Sequence, residues 1–254
     1  MHSILHCAKS PFFGPADSAE LSAYLCKKSR RATWTLLLGC TGLFISLTLS
    51  FYLGVRAGIK PDSWCSRVIT LTAICLQTVP PFVLALVVLS LFAIVLNWFP
   101  TGGLTYPGQS ATVWSTLTHL VLPGLVLAIT QLPWLILSLR ESVNEVMASD
   151  AIRGARVRGI PLPRIISHHI VPTALPPFVA LAGSRLPELV AGSILVESIF
   201  AWPGLGSALV RSAQSLDFPL LTILTVAITV LVLIGNLMAD IIFVILDPQV
   251  DADG

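Results

Sequence analysis

Arg185 and Glu188 stand three residues apart in a stretch, 173–200, whose only other charged residue is Glu197. On a helix that spacing puts both side chains on one face. A lone charge inside a bilayer costs at least ~2.5–3.5 kcal/mol on insertion scales, so the two must neutralise one another or face a polar cavity. Both readings stay open, and the second would make the pair part of a translocation pathway. Glu197, near the end of the stretch, suits a gating or structural role as well as it suits substrate contact. Asp240, one turn after Asn236, suits interhelical hydrogen bonds. His2, His6 and Cys7 are near enough in sequence to suggest a metal, but such a cluster is usually incidental, and neither a metal site nor a cofactor is expected.

Catalytic chemistry has no carrier in this chain. There is no H-E-x-x-H or G-x-S-x-G, and no G-x-x-x-x-G-K-[ST] phosphate loop. The five cysteines show no C-x-x-C spacing and read as small packing residues. A net charge of +2, with basic residues beside apolar runs rather than in one patch, excludes nucleic acid as a partner.

The elements that must position these residues are membrane helices. Of the 254 residues, 55% are hydrophobic and 11% charged, against roughly 45–50% and 25% in a soluble domain. No Lys or Arg occurs between Val68 and Leu139, so lipid must cover those segments. The pattern predicts an all-α polytopic protein of about five spans: 32–55, 68–98, 117–139, 173–200 and 220–246. Pro80 and Pro81 fall inside the second, where two missing backbone donors predict a kink or break and a candidate place on the pathway. Residues 1–31 read as a polar segment of the mature chain rather than a cleavable signal, and 32–250 as one membrane domain.

Basic residues set the orientation. Loops 56–67 and 140–171 carry three and five Lys/Arg, whereas 97–116 and 201–219 carry none and one. The first pair, and the C-terminus with them, should face the cytoplasm. Five spans then put the N-terminus outside, in conflict with its basic cluster Lys27, Lys28, Arg30 and Arg31.

Within the solvent-facing loop 140–171, the run from Asp150 to Gly159 predicts a short basic helix. Asp150 caps its start, Arg153, Arg156 and Arg158 offer ion pairs, Gly154 and Ala155 permit close approach, and Gly159 stops it with positive φ. At this point the sequence resembles the binding-protein-dependent ABC import permeases, whose cytoplasmic loop reads E-A-A-x3-G-x9-I-x-L-P. Aligned on Gly159 and Pro172, the chain has Arg153-Gly154-Ala155 at the E-A-A positions and His169-x-Val171-Pro172 at the end. Arg before a small pair is similar to the dipeptide/oligopeptide/nickel branch. The run from Ile194 to Gly206, ending Glu197-Ser198-Ile199-Phe200-Ala201-Trp202-Pro203-Gly204-Leu205-Gly206, resembles that branch's V-V-E-x-[VI]-F-[AS]-W-P-G-[LI]-G signature, in the form of the first of its two permeases. Leu246-Asp247-Pro248-Gln249-Val250 resembles its terminus. The resemblance covers roughly residues 15–250.

The resemblance implies a permease subunit in the bacterial inner membrane that itself performs no chemistry. It implies docking of the short helix on a separate ATP-binding subunit, a second permease, an external solute-binding protein, and peptide or nickel/metal-chelate as cargo. Relatives usually begin with one more helix and an external domain, where thirty-one residues precede the first span here. The alternative is an ATP-independent transporter or channel, which needs an ion-coupling carboxylate in a broken helix or an inverted repeat. Only Pro80-Pro81 hints at the former.

Overall fold

The computed structural model describes residues 18–106 and 112–246. The polar N-terminal histidines and the segment 247–250 lie outside the described residues. Every regular element described is helical.

Helix α1, Ser18–Ile59, is forty-two residues long and runs on through Arg56, which the sequence reading placed at its end. Its backbone also takes in the cluster Lys27–Arg31, so helix begins well inside the segment read as polar. The portion apolar enough to cross a membrane is Arg31–Ile59.

The second predicted span is two helices. α2, Trp64–Thr78, ends with Val79 extended, and α3, Pro81–Val88, starts with Pro80 as its cap. The helical path continues through a π-helical stretch, Leu89–Val95, and the two halves meet at 103°. This is a full break, sharper than a proline kink. The residue before a proline is pushed out of the α region, and two successive prolines forbid two donors of the next turn.

The third span also runs past its expected bounds. α4, Val113–Ala148, carries Pro123 and Pro133 without interruption and extends nine residues into the stretch expected to be solvent-facing loop. α1 and α4 form the most extensive helix pair, and glycines are the reason it is close. A Cβ on Gly42 would lie 2.8 Å from Leu127 Cβ, and one on Gly58 would lie 2.6 Å from Val143 Cβ. Lipid supplies no hydrophobic drive between helices, so backbone approach over small residues does the work. Gly54 and Gly58 form a G-x-x-x-G pair on this seam.

After α4 come α5, Asp150–Val157, and a continuous helical path built from α6, Leu162–Ile165, a π-helical turn, Ile166–Ile170, and α7, Val171–Ser184. The fourth span therefore starts at Leu162 rather than 173, and Pro172 lies within helix instead of ending a loop. The wider π turn just before it is the local change that absorbs a proline's missing donor and bulky ring. The same span breaks at Arg185, and α8, Leu186–Ile199, takes up the second half. A short helix α9, Leu205–Gln214, precedes α10, Phe218–Leu246, which matches the fifth predicted span.

By length and composition four helices suffice to cross a membrane, and a fifth crossing is present if the bent α2–α3 pair counts as one. The buried core falls into two main clusters. Leu38, Leu127, Val196, Phe200 and Trp202 pack at one end, and Leu139, Val143, Ile152, Ile165 and Ile170 at the other.

Candidate functional site

The short basic helix is present, and its geometry separates an anchor from a free face. Ile152 and Ala155, three residues apart, are buried in the cluster of Leu139, Val143 and Ile170, while Arg153, Arg156, Val157 and Arg158 are exposed. Gly159 has φ +76°. Its N–H bonds Arg156 O at 2.9 Å and the Ile160 N–H bonds Ala155 O at 3.2 Å, which is a complete Schellman stop. The start differs from the expectation. Ser149 occupies the cap position, and Asp150 is the first helical residue, where its charge opposes the positive end of the helix and pairs with Arg153 at 3.4 Å. Ser149 is preferred because its extended backbone turns the chain out of α4. Beside the helix a cavity of about 500 Å³ is lined by Lys60, Met147, Arg156 and Gly159, so the loop after α1 and the basic helix share one end of the molecule.

Arg185 and Glu188 are together. Arg185 Nη1 donates to Glu188 Oε2 across the break between α7 and α8. The guanidinium also lies 4.0 Å from the centre of the Trp134 ring, a stacked cation–π contact. The arginine side chain is 15% exposed and the glutamate 59%. The carboxylate opens on a cleft of about 380 Å³ between the broken second span, α4 and α8, whose walls include Gln77, Pro81, Gln131, Trp134 and Glu188. Pro80, exposed as the cap of α3, is not itself among the lining residues. Thus Pro81 and Glu188, more than a hundred residues apart, meet at one opening. Sequence reasoning missed Gln131 and Trp134, for their α4 segment is largely apolar and carries no charge to draw attention.

Glu197 does not join them. It is fully buried, at 0% exposure. Thr35 Oγ1 donates to its Oε1 at 2.7 Å and the Ser207 N–H to its Oε2 at 3.0 Å. The Leu205 N–H in turn donates to Thr35 Oγ1 at 2.8 Å, and Trp202 Nε1 to Trp34 O at 3.0 Å. The turn Trp202–Gly206 therefore wraps the carboxylate and clasps α8 and α9 to α1. Gly204 is required by approach, because a Cβ there would collide with the carboxyl group. A place for Glu197 on the pathway wall is corrected: its oxygens point into the clasp. Near the other end, Asn236 Oδ1 is buried without a partner and Asp240 is exposed. Among the described residues neither makes the expected interhelical bond, and α7 meets α10 through Gly183 against Ala239, which offer no side-chain donor.

A family model described as binding-protein-dependent transport system inner membrane component matches residues 50–252. The oligopeptide transport system permease protein AppB of Bacillus subtilis is 35% identical over 217 residues, 85% of this chain and 69% of that protein. The probable D,D-dipeptide transport system permease protein DdpB of Escherichia coli is 30% identical over 239 residues, 87% and 70% of the two chains. Among solved structures, a chain of the inward-facing MetNI methionine ABC transporter superposes with a TM-score of 0.70 at 17% identity, covering 89% of this chain and 98% of that one. A chain of an amino acid ABC transporter crystallised with histidines gives 0.63 at 15% identity, covering 91% and 99%. At those identities the structures speak for the fold.

Proposed function

The chain belongs to the binding-protein-dependent transport system inner membrane components, the permease subunits of ATP-binding-cassette importers, and from that premise we propose that it conducts peptides inward through the cleft at Glu188. The subunit is a multi-pass protein of the inner membrane, and ATP hydrolysis belongs to a separate subunit. Peptide cargo is favoured over nickel or a metal chelate by the relatives, whose names specify oligopeptide and D,D-dipeptide transport.

The observation that carries the coupling mechanism is the division of α5 into a buried anchor and an exposed arginine face. Asp150, Arg153, Gly154, Arg156, Arg158 and Gly159 form the surface that docks on the ATP-binding subunit, with Ala155 on the buried side of the same helix and Pro172 in the helix that follows. Because Ile152 and Ala155 are packed against the end of α4, displacement of α5 is transmitted to the helix that carries Gln131 and Trp134 of the cleft. Rigid elements of this kind let ATP-driven closure alternate the access of a pathway.

A second permease subunit completes the pathway. Glu188 opens to the outside of the single chain, and a carboxylate facing lipid would cost several kcal/mol. Protein packed against α2, α3 and α8 encloses it. The orientation follows the basic loops, with α5 and Lys60 toward the cytoplasm. Residues 32–250 act as one membrane domain, preceded by the segment 1–31.

Charge reversal tests the reading. With Arg156→Glu and Arg158→Glu together, co-purification of the ATP-binding subunit and ATP-dependent peptide uptake into vesicles should both fall at least about tenfold, while membrane abundance is kept. Undiminished co-purification with normal uptake would refute the docking surface.

A further inference from the structure

Gln131 is a polar side chain that the fold does not use. It is 5% exposed, its Oε1 is buried without a hydrogen-bond partner, and it stands on the cleft wall between Thr130 and Trp134. Groups left unpaired inside a protein are rare and call for a partner from elsewhere. Across the cleft, Glu188 engages Arg185 through Oε2, and Arg185 is further occupied by the Trp134 ring. Oε1 of the carboxylate is left for another cation. The end of α2 adds Gln77 and Val79 to the same wall, where the last-turn carbonyls of a helix carry partial negative charge. The cleft therefore presents two carboxamides, Gln77 and the unpaired Gln131, beside the carboxylate of Glu188, in an opening of about 380 Å³.

We propose that this cleft is a peptide subsite within the permease itself, in which Gln131 pairs with a backbone peptide group and Glu188 holds the terminal ammonium. A carboxamide carries donor and acceptor side by side and is the complement of a peptide group, whichever way its oxygen and nitrogen face. An ammonium is the donor-rich cation that a carboxylate accepts, through charge-assisted bonds. The inference rests on the peptide-import reading and adds selection by the membrane subunit to whatever selection precedes it.

The test reads occupancy directly in the assembled importer. Ala191→Cys places a thiol on the cleft wall in a chain whose five natural cysteines are replaced by alanine, and a water-soluble thiosulfonate labels it. L-alanyl-L-alanyl-L-alanine should slow the labelling. N-acetylation of the peptide, or Gln131→Leu, should each raise the half-protecting concentration by about tenfold, the loss expected when a site built for a hydrogen bond meets a group that cannot make it. Glu188→Gln should abolish the preference for the free amine. The acetylated peptide needs no variant, so the test holds even if Gln131→Leu fails to insert. Absent protection, equal protection by both peptides, or protection indifferent to Gln131→Leu in an inserted protein would overturn the proposal. Uptake in the same vesicles separates the two readings: uptake without protection removes the subsite alone, whereas protection without uptake sustains the subsite and refutes peptide import.

Discussion

Arg185 does three things with one guanidinium: it pairs with Glu188, covers the Trp134 ring and bridges the break between α7 and α8. Removing it leaves the Glu188 carboxylate without its ion pair and the Trp134 ring uncovered, and should lower membrane abundance. Removing both Arg185 and Glu188 with alanine should restore much of that abundance yet leave uptake poor, since the cleft loses its charge. Abundance and uptake in both singles and the double give the coupling energy. Wild-type behaviour in all three would show the pair to be idle. Thr35 offers a second test. Its hydroxyl donates to Glu197 and accepts from the Leu205 N–H, so Thr35→Val strands two buried groups. It should cost about 2–3 kcal/mol in thermal unfolding of the detergent-solubilised protein, with Thr35→Ser close to wild type. The Arg185–Glu188 contact was suggested by spacing, since a helix places residues three apart on one face, although Arg185 stands at the break as the cap of α8 rather than inside a continuous helix. The burial of Glu197 was not. It depends on Thr35 and Ser207, one of them 162 residues away, and no local pattern encodes such a closure.

At the scale of elements, existence was easier to read than extent. The apolar runs marked every membrane helix, but charge misled at their ends: α4 continues through Arg140 and Glu141 because Val143 is buried against Gly58 of α1. Proline was equally context-bound. The pair at 80 and 81 breaks a helix, whereas Pro123 and Pro133 lie in an uninterrupted one held along α1. Gly159 is the element-scale signal that sequence carried fully. A Cβ there meets nothing within 4 Å, so only its positive φ resists substitution. Gly159→Val should therefore cost about 1–2 kcal/mol locally and release the Schellman turn. Coupled ATPase stimulation should drop severalfold while insertion stays normal, and Gly159→Asn, which tolerates this conformation, should retain most of it. Equal loss in both variants would mean that the glycine serves close approach by a partner rather than the turn.

The whole molecule has two ends, and the fold assigns the loops to them without reference to charge. Lys60 and Arg156 line one cavity, and Arg140 Nε reaches Ser66 Oγ at 3.5 Å, which gathers loops 56–67 and 140–161 at one end. The Gly103 N–H bonds Phe200 O at 3.0 Å, and a Cβ on Gly102 would run into the same residue, which gathers 97–106 and 200–204 at the other. That partition is the one basic-residue asymmetry predicts, reached independently from packing. It also requires the bent α2–α3 pair to connect the two ends, and so to act as one broken crossing rather than a re-entrant hairpin. In inside-out and right-side-out vesicles, a membrane-impermeant maleimide should then label Gly159→Cys and the natural, exposed Cys65 only from the cytoplasmic face. Thr105→Cys should react only from the outer face. The reciprocal pattern would invert the orientation and place the arginine face of α5 away from any cytoplasmic ATPase. Labelling of Thr105→Cys and Cys65 from the same side would make α2–α3 re-entrant, leave four crossings, and put the carboxylate of Glu188 at the wall of a hairpin vestibule instead of a through-going path.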